Sequence, residues 1–489
     1  MRRAILFHDG LGVLSPLTDL RPAWAIRTGA MRTKERLERA IGVVVVRAEC
    51  EAGMVGIAAE ITSDVAMVGQ ADGASGEGVG RSIVHAPVDL AGEVLFVNAR
   101  CALPYEGMKE LKLGECIREA GSGDLVAACG VGSDVDELAA GFSRPAGTAG
   151  PPKAGRAWTC VAELAAPALL SRPWHVKTFR DRCLAMDLEL IRGTDGWGES
   201  GAALQGDLAL GGPAVPAGPG AGAAPLQTEL PGVTIITGRA VKLAGAMFNQ
   251  PVLSNDAKVK ATGGTPVPSH RAIIHPTAKV YPTACFDIEH GSVVIDAHAT
   301  VRPGALVIGP AYIGPYSTVL DKALIKPGTA IGPHCKVAGE VGGTIFQGFA
   351  NKAHDGHLGD SYVGEWANLG AGTMNSNLLN TYGEVVSKAR VSDSNERTGE
   401  QFLGCIVGDH VKFAISTRIM TGAVIHTGTM WAAGAAVSGC VAGFSWVTEA
   451  GAKPFRLEKF LEVMRAAMGR RKIVPSAAYV KRVEALGRP

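Results

Sequence analysis

The chain has 489 residues, room for two to four domains of ordinary size. Its 48 Lys and Arg nearly balance 46 Asp and Glu, a net charge of +2, so bulk charge gives no reason to expect nucleic acid or an anionic membrane as partner. A hydrophobic content of 47% excludes global disorder, and 64 glycines with only 6% aromatics point to many turns around a core of small side chains.

Residues 1–200 read as a mixed α/β domain. Residues 4–7 form a short apolar strand. Residues 31–41 carry Leu37 and Ile41 at helical spacing among charged residues, and Gly42 stops that helix. Residues 43–46 and 94–97 are β-branched strands, and residues 178–191 are helical. The apolar run 4–7 is too short for a secretory signal. No run of about 18 apolar residues predicts a membrane span. The ten cysteines form no Cys-x-x-Cys pair and read as small buried hydrophobes of a reducing compartment, so a cytoplasmic location is expected. Residues 211–225 carry neither charge nor a large side chain, and a Gly/Ala/Pro linker is expected over 201–226.

The strongest signal lies in residues 227–442. Ile295, Val301, Val307, Ile313, Val319, Ile325, Ile331 and Val337 recur every sixth position, each followed four residues on by a mostly small residue. A helix of 3.6 residues per turn cannot gather period six on one face, and a flat strand needs period two. A three-sided prism can: each hexad forms one face, its aliphatic residue points inward, and successive coils stack as a solenoid. Val363 and Leu369 resume the array, as do Val407, Phe413, Ile419, Ile425, Trp431 and Val437. Gly342-Gly343-Thr344 shifts the phase. Residues 378–403 read as a loop ejected from the prism, a usual place for function. In residues 443–489 two helices are expected to cap the open end of the solenoid.

Chemistry concentrates between Asn351 and Asn377. Asn351 and His357 fall at inward-type positions in place of aliphatic residues, with His354 and Asp355 beside them. His354 reads either as a general base or as a structural histidine. Gly370-Ala371-Gly372 would let a ligand approach the backbone closely.

The hexad array resembles the left-handed parallel β-helix of hexapeptide-repeat acyltransferases. The run from His354 through Asp360, with Gly364, Asn368, Gly370-Ala371-Gly372-Thr373 and Asn377, resembles the bifunctional (GlmU-like) N-acetylglucosamine-1-phosphate uridylyltransferases/glucosamine-1-phosphate N-acetyltransferases and bacterial sugar nucleotidyltransferases related to them. The resemblance implies His354 as acetyl-transfer base, and Lys326, His357 and Asn368 as sugar-phosphate contacts. It implies Ala371, Asn377 and Ala433 as acetyl-CoA contacts. Gly342 stands where the family has a phosphate-binding lysine, and His357 where it has a tyrosine. Residues 14–22 resemble the start of sugar-phosphate nucleotidyltransferases. They follow the loop Asp9-Gly10-Leu11-Gly12-Val13, where Gly10, Gly12 and Arg21 are the candidate nucleotide contacts. That loop lacks the family's arginine, Ala23 replaces its lysine, and Asn98-Ala99-Arg100 offers no acidic pair for a metal.

The implied protein is a cytoplasmic homotrimer without nucleic-acid or membrane partners. It would use acetyl-CoA, sugar phosphates, and UTP or another NTP, with Mg2+ if the N-terminal domain is active, to make a UDP- or other NDP-N-acetyl sugar for envelope polysaccharide. Two alternatives stand beside it. One is a zinc-dependent, carbonic anhydrase-like β-helix using His354, His357 and either His334 or His410; the other is a non-catalytic sugar-nucleotide-binding regulatory protein.

Overall fold

The computed structural model describes residues 1–61, 66–70, 82–83, 92–132, 134, 158–193, 233–236 and 270–488. The expected linker at 201–226 lies outside them. The N-terminal half is an eight-stranded sheet in the order β4-β3-β2-β1-β5-β7-β6-β8. Its strands are β1 (Arg2–Phe7), β2 (Val43–Glu51), β3 (Ala66–Gln70), β4 (Ser82–Ile83), β5 (Glu93–Asn98), β6 (Glu115–Glu119), β7 (Leu125–Val131) and β8 (Thr159–Leu164). Among the described residues this half carries the helices α1 (Thr33–Ile41), α2 (Val55–Ile61) and α3 (His175–Gly193). Helix α1 ends at Gly42, whose φ of 66° is the left-handed turn the sequence predicted. Arg36 of α1 and Asp187 of α3, both fully buried, join the helices through contacts of 2.6 and 2.7 Å.

The C-terminal half is the left-handed parallel β-helix. Two- and three-residue strands stack into three parallel sheets, one per prism face. Register follows the hexads: Ile295 pairs with Ile313 and Ile313 with Ile331 on one face, and Val301 pairs with Val319 and Val319 with Val337 on the next. The inward aliphatics share one apolar core.

The phase after Gly342-Gly343-Thr344 differs from the sequence expectation. Val337 pairs with Lys352, and Val341 with Leu358. The inward residues are therefore Lys352 and Leu358, both fully buried, and Asn351 and His357 face outward. The coil is shortened here, and a slip of one residue in a strand moves every side chain to the other face.

Along one corner His298, Tyr316, His334, Phe349, Trp366 and His410 all take a positive φ, between 53° and 62°. Coils repeat at about the strand spacing of 4.8 Å, so the rings at this corner stack. Centroids lie 4.4 to 4.9 Å apart from His298 to Trp366 and 6.2 Å apart from Trp366 to His410.

The two halves are joined by buried contacts. Arg21 donates to Asp409 at 2.8 Å and lies 3.3 Å from Glu365. Gln347 bonds the backbone of Ala25 and Arg27. The loop at 378–403 leaves the prism as expected and carries a short antiparallel pair, Val386–Ser387 with Glu396–Arg397. It clamps the start of α3 through Arg172, just before the helix, with Glu396 at 2.6 Å, and through Lys177 of the helix with Glu400. The tail forms α4 (Leu457–Gly469) and α5 (Ala477–Gly487). These helices do more than cap an end. Phe460 of α4 meets His410 and Phe444 edge-on. Tyr479 of α5 bonds His410, and Arg482 reaches Asp19 and Glu51 of the N-terminal half.

Candidate active site

His354 stands at the corner that follows the strand Asn351–Lys352. The turn is held from inside. Lys352 turns its ammonium to the carbonyl oxygens of Ala338, His354 and Asp355. Burial pushes this lysine down to about 8, against the opposing pull of Asp355. An inward lysine breaks the hexad rule, and sequence reasoning passed over it. His354 itself is exposed. Asn351 pairs with Asn368, and Asn368 with Lys412, so the following corners carry Gly370-Ala371-Gly372 and then Ala414-Ile415. Lys412 pairs in turn with Met430, and the next corner carries Ala432-Ala433. His354, Ala371, Ile415 and Ala433 thus share one corner column, with the exposed Ile415 between the two alanines.

Beside this column lies a cavity of about 500 Å3. His354, Asn351 and Asn368 line it with Lys336 and Lys412, and the tail closes it with Ala467, Arg470 and Arg471. Phe349 and Trp366 of the ring stack form a wall, and the buried Nε1 of Trp366 has no hydrogen-bond partner. Arg471 donates to Asn351 Oδ1 at 2.9 Å. Sequence reasoning missed Lys336, Lys412, Arg470 and Arg471, which no local motif connects.

Lys326, His357 and Asn377 form a second group on the adjacent face. Lys326 is ion-paired to Glu340 at 2.5 Å, and His357 Nδ1 lies 3.4 Å from the same oxygen. The Lys326 bond, followed by His357, holds the Glu340 carboxyl below its usual range. A Cβ on Gly359 would lie 2.6 Å from His357 Nε2 and 2.8 Å from Asn377 Nδ2, so those side chains close over the glycine. Asn377 also donates to Asp360, which pairs with Arg180 of α3 at 2.8 Å. Within one chain the implied site residues therefore divide between two faces that meet at the His354 corner.

In the N-terminal half, Gly10 and Gly12 take φ of 68° and 80° and line a cavity of about 210 Å3. Arg21, a candidate nucleotide contact, lines it as well, with its guanidinium engaged by Asp409 and Glu365 of the β-helix. Arg390 of the ejected loop and Arg482 of α5 reach the same cavity. Asp9 and Asp124, behind the glycine loop, offer magnesium no free pair of carboxylates. Arg100 bonds Asp9 at 2.6 Å and Asp124 at 2.9 Å, and Asn98 bonds Asp9 at 2.7 Å. Burial alone would raise the Asp9 carboxyl, but Arg100 and Asn98 hold it below its ordinary value. A guanidinium thus already sits between these two carboxylates. The zinc alternative meets a similar obstacle. His334 and His410 stand in the ring stack, on a different corner from His354. Among the described residues, no group of three or more His, Cys, Asp or Glu could hold a metal ion.

Residues 4–195 match the family model described as sugar nucleotidyl transferase. A bifunctional sugar-1-phosphate nucleotidylyltransferase/acetyltransferase of Sulfurisphaera tokodaii is 29% identical over 147 residues, covering 28% of this chain and 34% of that protein. The bifunctional protein GlmU of Gloeobacter violaceus is 30% identical over 120 residues, 23% of this chain and 25% of that protein. The chain therefore spans about a third and a quarter of the length of these relatives. Among solved structures, a hexapeptide transferase family protein of Anaplasma phagocytophilum matches 44% of this chain and 92% of its own at 13% identity, with a TM-score of 0.18. No helix among the described residues is long and apolar enough to cross a membrane.

Proposed function

We propose that this protein transfers the acetyl group of acetyl-CoA to the amine of an amino-sugar 1-phosphate, with His354 as base. The observation that carries this reading is the shared corner. His354 opens onto a cavity that also holds Asn368, in line with the small residues Ala371 and Ala433. The amine nitrogen attacks the thioester carbonyl carbon and gives its proton to the His354 imidazole. The carbon–sulfur bond then breaks, and the imidazolium returns the proton to the departing thiolate. The glycine-flanked corner supplies room for the thioester arm.

For the N-terminal domain the reading is a nucleotide or sugar-nucleotide pocket formed by Gly10 and Gly12 and reached by Arg390. The product of the combined reactions would be an NDP-N-acetyl sugar for envelope polysaccharide. A homotrimer is part of the proposal. Neighbouring β-helices would bring the face bearing Lys326, His357 and Asn377 of one copy toward the His354 pocket of the next. Light scattering at micromolar protein tests the trimer.

His354→Ala tests the chemistry. Removing a general base costs roughly 10²–10⁴-fold in acetyl transfer, with folding intact, since the side chain is exposed. Near-full transfer to glucosamine 1-phosphate by this variant, followed by mass spectrometry of the product, would sink the assignment.

A further inference from the structure

The cavity beside His354 is electrostatically one-sided. Lys336 and Lys412 line it from the β-helix face, Arg470 and Arg471 from the end of α4, and among the described residues no Asp or Glu lines it. The polar contacts made there are to neutral oxygens: Arg471 to the Asn351 amide, and Lys412 to the Trp366 carbonyl at 2.5 Å. A neutral oxygen solvates a cation but leaves its charge in place. The C-terminus of α4 offers only about half a negative charge, too little for four cations. The effect reaches the groups themselves. Burial pushes Lys412 down to about 8, and burial with the neighbouring Arg470 lowers Arg471.

We infer that this cavity is an anion site for a phosphorylated ligand, in which Lys336 and Lys412 face Arg470 and Arg471 of the tail across the ligand's phosphate. The inference deepens, and rests on, the assignment of the His354 cavity as the active site. It also moves the phosphate. The resemblance placed phosphate binding at Lys326, but that lysine is paired with Glu340 on the adjacent face. Phosphate is the class that suits the donors, because guanidinium forks bind its oxygens in pairs and ammonium groups add point charge. A volume of about 500 Å3 leaves room for more than the anion. Phe349 and Trp366 offer an apolar wall to a sugar or a base, and Trp366 Nε1 offers a donor. In the β-helix register Lys336 pairs with Asn351, Asn351 with Asn368 and Asn368 with Lys412, so two amides lie between the two ammonium groups. That row suits a ligand with hydroxyls beside its phosphate.

The test is calorimetric titration of the full chain with glucosamine 1-phosphate, glucosamine, CoA and inorganic phosphate. It is repeated on the double variant Arg470→Gln/Arg471→Gln and on Lys336→Gln. Lys336 is exposed on its strand, so this second variant keeps the fold if the tail substitutions disturb it. Each variant is expected to bind the phosphorylated probe at least about tenfold more weakly, with a reduced salt dependence and unchanged glucosamine binding. A loss confined to glucosamine 1-phosphate assigns the phosphate to the acceptor, and a loss confined to CoA assigns it to the donor; either supports the site. Equal affinities in wild type and both variants overturn it, as does a wild type that binds no phosphorylated probe at millimolar concentration. His354→Ala separates the two readings. If it abolishes transfer while binding persists, both stand. If the wild type binds the probe but transfers no acetyl group, the enzymatic reading fails and the anion site survives.

Discussion

Arg21→Met removes the cation that joins the two halves of the molecule. Arg21 is 2% exposed and Asp409 is fully buried. The arginine donates to Asp409 Oδ1 at 2.8 Å and lies 3.3 Å from Glu365. Among the described residues the other Asp409 oxygen has no hydrogen-bond partner, so the carboxylate relies on Arg21 and on the Glu365 amide. Methionine keeps most of the side-chain volume and leaves two acidic groups facing each other in the dry interface. Breaking a buried pair from one side costs roughly 3–5 kcal/mol, because an uncompensated charge remains. The pH dependence identifies the cause. Burial already raises Asp409 above its ordinary value, with Arg21 opposing, and removing Arg21 raises it further. A raised carboxyl keeps its proton in the folded chain where the unfolded chain has lost it, so stability falls as pH rises through that window. The deficit of Arg21→Met should therefore be smaller at pH 5 than at pH 8, measured by urea unfolding at both. Adding Asp409→Asn should recover part of the loss. A variant within about 1 kcal/mol of wild type at pH 8, or an equal deficit at both pH values, would refute the reasoning.

His334 lies between Tyr316 and Phe349, and burial with Arg471 pushes it down to about 4. Its folded value is below its unfolded one, so its contribution is full above about pH 6.5 and is lost as pH falls toward 4. His334→Phe should flatten the acid side of the melting-temperature profile, with His410 keeping part of the slope, and an unchanged profile would remove His334 from the account. Arg390→Gln should weaken UTP binding to the full chain by about tenfold, read by calorimetry, since Arg390 reaches the Gly10–Gly12 cavity. Equal affinity would show that the ejected loop takes no part in that pocket.

The prism was legible because period six admits few structures, and each hexad from Ile295 to Val337 buries its aliphatic residue. Three features were not legible, each for a physical reason. Gly342-Gly343-Thr344 shortens a coil, and counting sixes across it put Asn351 and His357 inside when Lys352 and Leu358 are there. The ring stack from His298 to His410 repeats once per coil, not once per hexad, and its residues vary between His, Tyr, Phe and Trp. A period set by three faces hides such a column until the corner's left-handed backbone is seen. The cations of the His354 cavity come from two strands and a helix end distant in sequence, so no spacing links them. That His354, Ala371 and Ala433 would share a corner follows from the array, whose register carries one coil to the next; the roles given to them and to Asn368 came from the family resemblance. The pairing of Arg21 was hidden for the opposite reason. A buried charge is defined by its partner, and Asp409 stands 388 positions away.

The same interface bears on how the molecule unfolds. Domains of one chain commonly move relative to one another unless a large apolar interface joins them. Here one apolar cluster contains Leu17, Trp24 and Ile26 of the N-terminal half together with Tyr312, Ile345, Tyr362 and Ile406 of the β-helix and Met464 and Tyr479 of the tail. Separating the halves would strip that cluster open and expose Arg21 without its carboxylates. The Gly10–Gly12 cavity would also lose Arg390 and Arg482, which come from the other half. The full chain should therefore unfold in urea in one transition. Tryptophan fluorescence reports from Trp24 and Trp174 on one side and Trp366 on the other, and its midpoint should coincide with that of far-ultraviolet circular dichroism. In Arg21→Met the curves should separate, because the ionic part of the joint is gone while each half keeps its own core. Two transitions in the wild type would mean that the halves touch without depending on each other, and the N-terminal pocket would then have to be complete without the loop and the tail.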